Sequence, residues 1–137
     1  MARASEVADR LHSAAIRVLR HAREADRAAG LGPARLSALS VLVYGGPCTI
    51  SELAVAEQVS LPTMTRVVQG LEQLGLARRK PSPSDARSSI VAATARGNAL
   101  LQRARRGRLR RIEALLKKAR PEDVMRLGDA LAAVFEV

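Results

Sequence analysis

Apolar residues recur at three- and four-residue spacing from Ser5 to Ala29, at Val7, Leu11, Ala14, Ala15, Val18 and Ala22, which predicts an amphipathic helix. Gly30-Leu31-Gly32-Pro33 ends it. Ala34–Tyr44 reads as a second helix, more apolar all round (Leu36, Leu39, Val41, Leu42, Val43) and so predicted to be buried, and Gly45-Gly46-Pro47 closes it. A short helix, Glu52–Gln58, follows, with Ser51 as its predicted cap and Glu52 favourably placed against the helix dipole. Ser60 is predicted to cap the next helix, which runs to Leu74 and closes at Gly75. Pro62 falls in its first turn, where a missing N–H costs little. Stepping about 100° per residue from Met64 puts Val67, Val68, Leu71 and Leu74 within about 80° of it. Pro62, Thr65, Arg66, Gln69 and Gln73 fall opposite, forming a polar outer face with a cation and no acid.

Leu76–Lys80 and Ser88–Ala93 read as two short strands around a Pro/Ser loop, Pro81 to Arg87. Thr94 is expected to cap a long helix from Ala95 to about Arg120, with Gly107 as a place for a bend. Pro121 starts a last helix with Val124, Leu127, Leu131, Val134 and Phe135 on one side. Two short helices joined by a tight turn, then a hairpin and a long helix, make a winged helix-turn-helix. The predicted fold class is mainly α with a small β-hairpin wing, together with a helical dimerisation region.

Charge sharpens this picture. The 137 residues carry a net charge of +10, and residues 96–120 hold ten basic side chains against Glu113 alone. Such a stretch suits a polyanion, whose condensed counterions it displaces, or is a solvated helix face. One Tyr, one Phe and no Trp nearly exclude a reader built on base stacking. The single cysteine, Cys48, excludes an internal disulfide and a multi-cysteine zinc site, and points to the reducing cytoplasm. Charges throughout Met1–Val18 leave no signal-peptide core, and the uncharged run Leu36–Ser51 is too short to span a bilayer, so no membrane association is expected.

Five motifs stand in order: Ile50-Ser51-Glu52-Leu53-Ala54, Val59 to Arg66, Leu71-Glu72-Gln73-Leu74-Gly75-Leu76, Asp85-Ala86-Arg87-Ser88, and Ala93-Thr94-Ala95-Arg96-Gly97. Together they resemble the multiple-antibiotic-resistance regulator (MarR) family, departing from it at Ala93, where that family usually has Leu. The resemblance implies a homodimeric transcription regulator, expected to be a repressor on a pseudo-palindromic operator in double-stranded DNA, released by a small-molecule effector. It implies dimerisation through residues 1–32 and 96–137 and DNA binding by residues 33–95, at the nucleoid. The apolar faces of the terminal helices, which one chain of this length struggles to cover, agree with a dimer.

Within that reading Arg66 and Gln69 are expected at base edges, since Arg suits guanine and Gln adenine. Thr63 and Thr65 suit phosphates or a thymine methyl, and Ser60, beside Pro62 at the helix start, suits a phosphate. Arg87 is expected in the minor groove from the wing, with Asp85 orienting an arginine by a charge-assisted hydrogen bond. One or two of Arg78, Arg79 and Lys80 are expected at the DNA backbone, Arg78 and Lys80 being the chosen pair, and the alternative is that all three are solvated. Cys48 is expected to be a buried, inert thiol, having no neighbouring charge to stabilise a thiolate. His12 and His21 fall on opposite faces of one helix and cannot share a metal, so neither metal nor cofactor is expected, and the ligand site is not identifiable. No catalytic constellation is present, which argues against an enzyme. The alternative function is a sequence-nonspecific nucleoid or architectural DNA-binding protein, which the Arg-rich helix suggests.

Overall fold

In the computed structural model the chain folds, in order, as helix α1 (Ala4–Ala28), helix α2 (Pro33–Gly45), strand β1 (Cys48–Thr49), helix α3 (Ile50–Glu57) and helix α4 (Leu61–Gln73). Strands β2 (Ala77–Pro81) and β3 (Ser89–Ala93) and helices α5 (Ala95–Leu116) and α6 (Pro121–Phe135) complete it. The structure describes residues 3–85 and 87–137; Met1, Ala2 and Ala86, the middle of the D-x-R motif, lie outside the described residues. There are two compact units, residues 26–105 and residues 1–25 with 106–137, and α1 and α5 contribute to both.

The unit of residues 26–105 holds the hydrophobic core. Leu36, Leu39 and Leu42 of α2 are buried with Leu53 of α3, Met64, Val68 and Leu71 of α4, Val91 of β3 and Leu101 of α5. The apolar stripe predicted for α4 is therefore the packed one, except at Leu74. That residue, the C-cap, lies at the edge of the stripe, about 80° from Met64, and is 43% exposed. On α2 the burial is one-sided: Tyr44 is exposed. The predicted hairpin is present, pairing Arg78 with Ala92 and Lys80 with Ile90, but the sheet has a third strand. β1 joins the far edge of β3, Cys48 opposite Val91 and Thr49 opposite Ile90. A two-residue strand has no periodicity to read, since only its pairing partner defines it.

Two predicted boundaries move. Thr49, not Ser51, caps α3: its hydroxyl oxygen accepts the Glu52 N–H at 3.1 Å, and its O–H donates to Glu52 Oε1 at 3.1 Å. Thr49-Ile50-Ser51-Glu52 is a capping-box sequence that starts the helix two residues before Glu52. At the other end of the chain, α5 stops at Leu116 instead of Arg120. Pro121 holds the preceding residue out of the α region, so Arg120 is extended (φ −67°, ψ 141°) and becomes the N-cap of α6. α5 runs through Gly107 without interruption.

Gly97 shows how closely α5 starts against the rest of this unit. Thr94 caps α5, its hydroxyl oxygen accepting the Gly97 N–H at 3.0 Å while its O–H donates to the Gly75 carbonyl at 2.7 Å. A Cβ at position 97 would run into the Leu76 carbonyl oxygen and lie 3.1 Å from a Leu39 methyl.

In the unit of residues 1–25 and 106–137, α6 has no buried residue. Met125, Leu127, Leu131, Val134 and Phe135 are exposed on it, as are Val7, Leu11, Ile16 and Leu19 on α1. Arg111 pairs with Glu24 at 2.7 Å and Lys117 with Glu113 at 3.3 Å. No helix among the described residues is long and apolar enough to cross a membrane.

The packing at Gly97 generates a prediction. Gly97→Ala, although it raises helix propensity, should lower unfolding stability by about 1–3 kcal/mol through overpacking. A urea titration checks it: the midpoint should fall with the slope unchanged. A midpoint equal to or above that of the wild type contradicts the contact with Leu76.

Candidate nucleic-acid interface

The turn between α3 and α4 is made by Gln58, which ends α3 in the left-handed region at φ 56°. The Val59 N–H returns to the Ala54 carbonyl at 3.0 Å, so the chain reverses within a few residues. Ser60 then caps α4 as its sequence position predicted: its oxygen accepts the Thr63 N–H at 3.3 Å, and its O–H donates to Thr63 Oγ1 at 2.8 Å. Pro62 lies in the first turn. The hydroxyls of Ser60 and Thr63 are thus already engaged with each other, though both residues are exposed. Thr65 is half-buried, and its hydroxyl donates to the Leu61 carbonyl at 2.9 Å, which leaves its methyl group for any contact. Arg66 and Gln69 are exposed, and neither has a side-chain hydrogen bond or ion pair among the described residues. The outer face of α4 consequently offers unused donors and no carboxylate.

α4 leaves through a Schellman turn. Gly75 takes φ 73°, its N–H bonds the Glu72 carbonyl at 2.9 Å, and the Leu76 N–H bonds the Leu71 carbonyl at 2.9 Å. β2 begins immediately afterwards, so the wing is rooted at the end of α4. Alternation along β2 puts Arg78 and Lys80 on one face and Arg79 on the other. Arg79 is taken up by Glu72, its Nη2 lying 2.7 Å from Oε1 and its Nε donating to the same oxygen at 2.8 Å. Arg78, Lys80 and Arg87 are exposed and have no ion pair among the described residues.

At the wing tip Asp85 acts on Arg87, but through the main chain. Its Oδ1 accepts the Arg87 backbone N–H at 2.9 Å, and Oδ2 faces the Ser88 hydroxyl at 3.4 Å. The charge-assisted bond thus holds the turn that carries Arg87 and leaves the guanidinium free; a short Asp side chain reaches an amide two residues on more readily than a guanidinium. Two roles escaped the sequence reading. Glu72 removes Arg79 from the set of free cations, and Thr49 starts α3; the second was legible as the T-x-x-E pattern. No group of three or more His, Cys, Asp or Glu among the described residues is placed to hold a metal ion.

Comparison with known proteins places the fold. The sequence pattern of the MarR family matches residues 29–88. The chain is 35% identical over 104 residues to ML2140 of Mycobacterium leprae, an uncharacterized HTH-type transcriptional regulator, spanning 76% of this chain and 73% of that protein. Its fold is similar to that of the transcriptional regulator Tm0710 from Thermotoga maritima (TM-score 0.85, 25% identity, 96% of this chain and 93% of the other). It is also similar in fold to a cysteine-to-serine mutant of E. coli MarR complexed with operator DNA (TM-score 0.65, 22% identity, 94% and 93%).

Cys48 sits in β1, half-buried opposite Val91. Burial raises its thiol pKa, and the Glu52 carboxylate adds to the effect, so the thiol is held protonated at neutral pH. Its share of folding stability is therefore intact below the thiol pKa of the unfolded chain and is lost as pH rises through the higher folded value. Iodoacetamide alkylation should show this: the rate–pH profile of the folded protein should lie at higher pH than that of the urea-unfolded chain. A profile displaced to lower pH would indicate an activated thiolate.

Proposed function

The chain belongs to the MarR family of DNA-binding winged helix-turn-helix transcription regulators, and from that premise we propose that it is a homodimeric repressor that reads a pseudo-palindromic operator through α4 and the wing. The observation that carries the reading is the placement of exposed cations that have no ion pair among the described residues: Arg66 on the outer face of α4, and Arg78, Lys80 and Arg87 on the wing. Arg66 and Gln69 contact base edges in the major groove; Thr63 and the methyl of Thr65 sit beside them, and Ser60 with the Pro62 turn meets a phosphate. Arg87, presented by the turn that Asp85 holds, enters the minor groove, and Arg78 and Lys80 contact the backbone. Residues 33–95 form the DNA-binding domain. Residues 1–32 and 96–137 form the dimerisation region, supported by the exposed apolar side chains of α1 and α6. The protein acts in the cytoplasm at the nucleoid, and a small ligand lowers DNA affinity by favouring a dimer whose recognition helices no longer match one helical turn. That last step rests on family membership.

The test is equilibrium binding to a duplex from the DNA flanking the protein's own gene, against a shuffled duplex, across salt. A preference of roughly a thousandfold or more is expected for a specific regulator. Equal affinities that weaken together with salt would favour the architectural alternative, for which the exposed Arg103, Arg105, Arg106 and Arg110 are suited. Arg66→Ala and Arg87→Ala should each weaken binding to the flanking duplex by about tenfold or more, on the order of 1–3 kcal/mol for a lost base contact, with unchanged circular dichroism. Wild-type affinity in both variants removes the site assignment. Sedimentation equilibrium should give twice the 14.7 kDa chain mass, and Leu131→Glu should shift the population towards the single-chain mass. A single-chain mass for the wild type at micromolar concentration refutes the dimer.

A further inference from the structure

We propose that Arg35, seated over Gly70 of α4, is a DNA-phosphate contact that widens the cationic face of that helix. The inference rests on the DNA-binding reading above and adds a residue from outside α4 and the wing.

Gly70 is buried in the interior of α4, one turn after Arg66. A Cβ added there would lie 2.6 Å from Arg35 Nε and Nη2 and 2.7 Å from Cζ. Nε, Cζ and Nη2 of the Arg35 guanidinium thus occupy the space that a side chain at position 70 would fill. On the helical wheel, position 70 falls about 40° from Arg66, on the side of Val67. The second guanidinium is therefore supplied by α2 at the border of the polar outer face, where α4 itself carries no side chain.

Both cations are available. Arg35 and Arg66 are exposed, and neither makes a hydrogen bond or ion pair among the described residues. They line one shallow cleft of about 280 Å³ with Gly32, Pro33, Ala34 and Val67, and no carboxylate lines it. Two guanidiniums beside one cleft repel each other unless an anion lies between or beside them, and a DNA phosphate accepts from such planar forks. A helix-interior glycine is intrinsically less stable than alanine, and the room it leaves here is taken up by Arg35.

The test uses the full chain as wild type, Arg35→Ala, Gly70→Ala, the double variant and Arg66→Ala. Each is titrated by fluorescence anisotropy with the flanking duplex and the shuffled duplex over a salt series, and its thermal melt is recorded. A lost phosphate contact weakens both duplexes by the same factor, about fivefold per chain at 0.15 M salt, and reduces the slope of log K against log salt by about 0.9 per chain. That slope is a readout that a purely structural role for Arg35 leaves unmoved. Gly70→Ala, which displaces the guanidinium, should melt no lower than wild type, weaken binding with the same shallower slope, and add nothing in the Arg35→Ala background. An unchanged slope in Arg35→Ala, or a Gly70→Ala effect that persists without Arg35, overturns the inference. Loss of binding in Arg66→Ala with none in Arg35→Ala overturns this inference alone. A wild type that binds neither duplex overturns the DNA reading and this inference with it.

Discussion

Three backbone segments meet at Gly75 and Leu76, and the rest of the unit of residues 26–105 is arranged from that junction. The left-handed Gly75 terminates α4, and the Leu76 N–H returns to the Leu71 carbonyl. The two carbonyls of the same pair are then both claimed by Thr94, Gly75 by its hydroxyl at 2.7 Å and Leu76 by its N–H at 3.0 Å. Because Gly97 has no side chain, the first turn of α5 can sit directly on the Leu76 carbonyl. The exit of α4, the root of β2 and the start of α5 are therefore held by the same few atoms. Arg78 and Lys80, two and four residues beyond Leu76, inherit their placement relative to α4 from this junction, and Arg87 inherits it through the β2–β3 pairing.

The distribution of partners among the cations is as informative as the net charge. Arg79, Arg111, Lys117 and Arg120 are each answered by a carboxylate of their own unit, and such exposed pairs add little to stability. Arg66, Arg78, Lys80 and Arg87 have none among the described residues, and neither has Arg35. A phosphate approaching those four would displace water and counterions but break no ion pair among the described residues. The Glu72–Arg79 pair fits the same logic, since it places the acid nearest the wing root on the inward side of β2 and leaves the alternate side wholly cationic.

Much of this was legible in the residues because the signals are local. The 3.6-residue period gave the position of α1, apolar content between Gly/Pro breaks gave α2, Ser60 and Thr94 marked helix starts, Gly75 marked an end, and the opposed faces of α4 followed from spacing alone. A cap or a helical turn spans three or four residues, so its chemistry is complete within a short window of sequence. Thr49 belongs to the same class, and its T-x-x-E pattern was readable although Ser51 was the more obvious cap.

What required the folded chain is whatever joins residues far apart in sequence. β1 exists because β3 offers a free edge some forty residues later. Gly97 is favoured because the Leu76 carbonyl, just before β2, lies where a Cβ would be, and the Arg35 guanidinium lies on Gly70 because α2 packs beside α4. Asp85 was expected at a guanidinium and bonds an amide, since turn geometry, not charge, decides which donor comes within reach. Amino-acid order determined which residues are helical, which face of each helix is apolar and where the charge accumulates, because those properties follow from local conformation and side-chain solvation. Tertiary packing alone decided which cations remain unpaired and where a side chain meets no room, because both depend on what neighbouring segments bring within a few ångströms.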